Sequence, residues 1–137
     1  PIEGGDVQDF VGALAEVVQA LRVAGQRVVF YAGVDMAHVG LHFGDSERVS
    51  DRQLPAIEAR DKEYLAAAEA GDPSALYSHV ESDHDARRIC GFPSLYTMFA
   101  AMRRAEIRTR GKLIDYRQAV DPISDCIVTF ASMHWTA

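Results

Sequence analysis

Cysteine is scarce in this chain: two residues, Cys90 and Cys126, in 137. That excludes a disulfide framework and fits a reducing compartment, so a cytoplasmic protein is expected. Basic charge is outweighed as well, with 14 Lys and Arg against 20 Asp and Glu and a net charge of -6. Nothing there neutralises a phosphate backbone, which argues against nucleic-acid binding. No apolar run approaches the ~20 residues of a membrane span. The start, PIEGGD, has neither the basic residues nor the apolar core of a secretory signal. There is no repeat, low-complexity tract or linker, and no P-loop, Rossmann glycine pattern or G-x-S-x-G.

What is present suits a single domain over residues 1–137, with 48% apolar and 25% charged residues. Val7, Phe10, Val11, Leu14, Val17, Val18 and Leu21 recur at helical spacing after Asp6, a fitting N-cap, and before Gly25. QRVVFYAG, residues 26–33, has the pattern of a strand buried on both faces of a parallel sheet. A second helix is expected from Ser50 or Asp51 to Gly71, on Leu54, Ile57, Tyr64, Leu65 and Ala68. Asp72-Pro73 opens a third, reaching about Val80. Pro93 starts a fourth, with Leu95, Met98, Phe99 and Met102 on its apolar face. KLIDYRQ and DCIVTFASMHW read as strands joined through the Asp-Pro turn of AVDPIS. The predicted order is α-β-α-α-α-β-β, an α/β fold with a partial, mostly buried sheet flanked by helices. Three strands are few, since sheets commonly have five or six, so more strands from another chain or copy are expected.

The chemistry concentrates just beyond the predicted first strand, where open α/β sheets bind ligands. His38 stands there with Asp35 three residues before it, a carboxylate able to orient an imidazole or accept a proton. His42 follows in what reads as surface loop. Cys90 precedes Gly91 and a helix start, a setting that favours thiolate, both nucleophile and soft metal ligand. Cys126 lies inside a strand, as a small buried residue would. His79, Glu81, Asp83, His84 and Asp85 crowd into SHVESDHDAR without any paired spacing of structural zinc. Asp115 and His134 have no assigned role, and a hydrolytic pairing of Cys90 with His38 stays open.

Three segments together resemble one family. VDMAHVGLHFGD (34–45) is similar to the D-x-S-H-x-G loop of the Memo-like proteins, RRICGFPSLYTMFAAM (87–102) to their ICG segment and following helix, and LIDYRQAVDPISDCIVTFASM (113–133) to their closing pair of strands. The resemblance runs through roughly residues 26–135. It implies an α/β fold related to the class III extradiol ring-cleaving dioxygenases and a pocket holding copper or iron. By position it implies His38 and Cys90 as metal ligands, with Asp35 and His38 as the acid-base residues. Ala37 replaces the family's usual serine, and the interval from Gly91 to Pro93 is one residue shorter than in some members. Family members are about twice as long, and two further metal-site histidines lie in their N-terminal half. The chain thus resembles a C-terminal half. The implied function is a metal-binding redox protein or oxidoreductase, its site completed by the missing N-terminal half or by a partner chain, either a second polypeptide carrying that half or a homo-oligomer. The alternatives are a non-catalytic module for a small ligand or peptide, and a ring-cleaving dioxygenase subunit.

Overall fold

The structure, a computed structural model, describes residues 4–137. Among these, four α-helices pack with a small antiparallel sheet: α1 (Gly5–Val23), β1 (His38–Gly40), α2 (Leu54–Glu69), α3 (Pro73–Glu81), α4 (Phe92–Arg104), β2 (Arg110–Asp121) and β3 (Cys126–Thr136). The strand order is β1-β3-β2, with β1 paired to the start of β3 and β2 running along its full length. The mixed α/β class expected from the sequence is what forms.

Helix α4 carries the centre of the core. Phe92, Leu95, Met98, Phe99 and Met102 recur on one face and are all buried. They pack with Tyr64, Leu65 and Ala68 of α2, Leu76 and Val80 of α3, and Met36. Each large side chain so removed from water contributes roughly 1.5–3 kcal/mol. Asp72 caps α3 as its sequence predicts, its Oδ1 accepting from the N–H groups of Ser74 and Ala75, with Pro73 in the first turn. The α1 cap falls on Gly4 rather than Asp6, and α2 begins at Leu54, three residues past the expected Asp51.

The β2–β3 hairpin turns where Asp-Pro predicts. Asp121 accepts from Ile123 N–H at 2.9 Å and from the Ser124 hydroxyl at 2.7 Å, closing the turn with one side chain. Farther along β2 the register slips: Leu113 pairs with Met133 and Asp115 with Ser132, so Ile114 is an extra residue. Such a bulge reverses the alternation of faces. Leu113 and Tyr116, of opposite parity, consequently both turn inward against the core.

Residues 26–33 correct the sequence reading. They are extended but are not a strand, and they are not buried on both faces: Val29 is 86% exposed and Tyr31 92%. Phe30, Ala32 and Val34 lean on the core while the alternate residues face out. Among the described residues, no backbone group of residues 27–34 makes a hydrogen bond; contact with the sheet begins at Met36 N–H, which donates to Thr129 O at 2.8 Å. An apolar run specifies burial, yet it does not supply the neighbouring strand. The short strand that does pair, β1, lies beyond it and is antiparallel to β3, not part of a parallel sheet.

Candidate metal centre

His38 opens β1, and its ring is fixed from behind. Nδ1 lies 3.0 Å from both Met36 O and Arg88 O, two groups that only accept, so Nδ1 carries a proton and Nε2 is the ring nitrogen that faces forward. Arg88 clamps the same loop a second way. Its guanidinium donates to His38 O at 3.1 Å and to Asp45 Oδ1 at 2.6 Å, while Asp45 Oδ2 accepts from Gly40 N–H at 2.7 Å. Burial opposes ionisation of Asp45, but these bonds outweigh it and hold its carboxyl below the ordinary value. At Gly40, φ is +120°, and an added Cβ would overlap Asp125 O and Val49; only glycine lets β1 end there.

Asp35 and Cys90 meet in front of that ring. His38 Nε2 is 3.4 Å from Asp35 Oδ1, and the Cys90 thiol donates to the same oxygen at 2.6 Å. One donor atom from each of the three residues lies within 4.8 Å of the others. Gly91 permits this approach, for a Cβ there would stand 2.5 Å from Asp35 O and 2.8 Å from Val34 Cγ2. Partial burial, and then the Asp35 carboxylate, push the Cys90 thiol above its ordinary pKa. In the metal-free protein Cys90 is therefore a protonated thiol, and the helix start expected to favour thiolate is outweighed.

Nitrogen, sulfur and carboxylate oxygen at this spacing suit a transition-metal ion, whose bonds of about 2.0–2.3 Å hold ligand atoms roughly 3–4 Å apart. His38 Nε2 and Asp35 Oδ1, 3.4 Å apart, are placed so that both can ligate one cation. The structure thus brings the sequence-named Asp35, His38 and Cys90 to one point, with Asp35 placed as a third potential ligand. His42 is exposed on the single 3-10 turn Leu41–Phe43, edge-on to the Phe43 ring, and stands outside the cluster. The SHVESDHDAR residues gather no metal cluster among the described residues. Asp115 is exposed and pairs with Arg117, and Cys126 is buried at the start of β3.

The acidic run instead supports a buried ion pair that the sequence reading had not singled out. Arg87 binds Asp61 of α2, which is 0% exposed, and donates to Asp83 Oδ2 at 3.4 Å and to His79 Nε2 at 2.6 Å. Accepting from Arg87, His79 is neutral. Burial, then Arg60 and Arg87, hold its pKa below the ordinary value. The unfolded chain therefore takes up this proton first, near pH ~6.5, while the folded protein resists it. Stability from His79 is complete above that pH and is lost as pH falls toward the lower folded-state pKa, by at most about 1.4 kcal/mol per pH unit. The urea midpoint is expected to drop between pH 7.5 and 5, and His79→Gln, which keeps an acceptor for Arg87, to flatten that drop. An unchanged pH profile in the variant would place the titration elsewhere.

No helix among the described residues is long and apolar enough to cross a membrane. No curated protein matches the chain. Residues 4–134 match the family described as Memo-like protein, including the loop of Asp35 and His38, the Cys90 segment and both long strands. That match spans nearly the whole chain, and the chain belongs to the Memo-like protein family.

Proposed function

We propose that Asp35, His38 and Cys90 hold a copper or iron ion in a redox protein or metal-dependent oxidoreductase. The observation that carries this reading is the convergence of Nε2, Sγ and Oδ1 within 4.8 Å, with His38 Nε2 turned toward them by two carbonyls behind the ring. A thiolate in the set favours a soft, redox-active ion over magnesium or calcium. Such an ion supplies one-electron chemistry when bound. Asp35 Oδ1, which accepts from the Cys90 thiol, would pass that proton on to solvent as both became ligands, while Met36 O and Arg88 O keep His38 in one tautomer.

The remaining ligands come, in this reading, from a polypeptide segment equivalent to the first half of Memo-like proteins. The open edge at residues 27–34 supports this, because its unpaired backbone and outward Val29 and Tyr31 suit an added strand and it leads directly into Asp35.

Elemental analysis after anaerobic purification and loading with copper(I) or iron(II) tests the site. Stoichiometric metal in the native chain, lost in both His38→Ala and Cys90→Ala, is expected. No metal under any loading would instead favour a ligand-binding module without turnover.

A further inference from the structure

Where β1 meets β3, the ladder is irregular. Continued by one residue, the His38–Val128 register sets Ala37 against Thr129, and Thr129 N–H donates to Ala37 O at 3.0 Å. The reciprocal bond to Thr129 O, however, comes from Met36 N–H, one residue early. Two residues thus oppose one, as in a bulge. This slip leaves the buried Ala37 N–H without its carbonyl, and the Thr129 hydroxyl accepts it instead at 2.9 Å. That hydroxyl must then donate elsewhere, and it does so to Asp61 Oδ2 at 2.6 Å. Asp61 Oδ1 binds the Arg87 guanidinium. The backbone carbonyl of Arg87 takes the His38 N–H at 2.6 Å. The hydrogen bonds therefore close a ring, from Ala37 N–H through Thr129, Asp61 and Arg87 back to His38 N–H. Thr129 and Asp61 are both 0% exposed, and Arg87 is 7% exposed.

From this ring we infer that Thr129 and Asp61 are positioning residues for the centre: they hold the slipped peptides of Ala37 and His38, and so aim His38 and Asp35 at Cys90. The inference rests on the metal-site reading above. It separates these residues from ordinary buried polar groups because of what each bond touches. Tyr116 also donates to Asp61 Oδ2, at 2.9 Å, and its oxygen lies within reach of the Thr129 hydroxyl, yet it makes no bond to residues 35–38. It is the internal control.

The test compares Thr129→Val, which keeps the shape and removes the hydroxyl, with Thr129→Ser and Tyr116→Phe in the full chain. Two readouts are followed: binding of cobalt(II) alone, seen through its thiolate charge-transfer absorption, and the ring 15N shifts of His38 in metal-free protein. Thr129→Ser is expected to match the native chain in both. Thr129→Val is expected to weaken cobalt binding about 10- to 100-fold, as supporting residues of metal sites do, and to move the His38 shifts. Tyr116→Phe is expected to lower the unfolding midpoint while leaving both readouts in place. Native-like cobalt affinity and His38 shifts in Thr129→Val would overturn the inference, as would equal changes in Tyr116→Phe. Should the native chain bind no cobalt, the metal reading fails and the positioning role is judged on the His38 shifts alone. Shifts moved by Thr129→Val and not by Tyr116→Phe sustain it; unmoved shifts refute it. If Thr129→Val does not fold, Thr129→Ala removes the hydroxyl without adding a methyl at its place.

Discussion

Asp61→Ala is expected to destabilise the protein by about 3–5 kcal/mol, a large part of the 5–15 kcal/mol by which a domain of this size is held folded. Asp61 is wholly buried and fully engaged: one oxygen with Arg87, the other accepting from Tyr116 and Thr129. Truncation strands a buried guanidinium and two hydroxyls, and the cost comes from those orphans more than from the lost attraction. Replacing the pair together, Asp61→Leu with Arg87→Met, is expected to recover much of the loss, since no charge is then left inside. Urea unfolding of the single and double variants measures both. A single-variant loss below about 1 kcal/mol would mean that Arg87 finds water when Asp61 is gone.

Gly91→Ala carries the second large effect. Its φ of -72° is open to any residue, so the penalty is steric. The new Cβ would meet Asp35 O at 2.5 Å, and a backbone oxygen cannot swing aside as a side-chain tip can. A loss of about 1–3 kcal/mol is expected, and relief comes only by moving residues 34–35 away from α4. That motion separates Asp35 from Cys90, so metal uptake falls together with the melting temperature. Gly5→Ala, with nothing within 4 Å of the added Cβ, is the matched control and should change neither. Full metal uptake in a destabilised Gly91→Ala would show that Asp35 does not need this close approach.

Both predictions concern residues that the linear pattern marks only faintly. Asp61 falls on the stripe of Leu54, Ile57, Tyr64, Leu65 and Ala68, a polar residue at an apolar position of α2. That was the available signal for a buried charge. Thr129 offered none, because a threonine in a strand is ordinary. Arg88 likewise reads as one more surface arginine, though its carbonyl sets the His38 tautomer. The bulge at Ile114 that turns Tyr116 toward Asp61 was equally hidden.

Local information by itself determined the helices, because each needs only its own periodicity and caps: Asp72-Pro73 for α3, the Phe92–Met102 face for α4. It determined the hairpin too, through the Asp121 turn. It named Asp35, His38 and Cys90 by residue type and family likeness. Tertiary structure alone decided that they meet, since Cys90 lies 55 residues from Asp35 in the chain and reaches it only when α4 packs against residues 34–35. It alone decided the fate of residues 26–33 as well. Their apolar sequence asks for a sheet, but a strand is made by the neighbour that takes its hydrogen bonds, and the sequence of one strand does not contain the other.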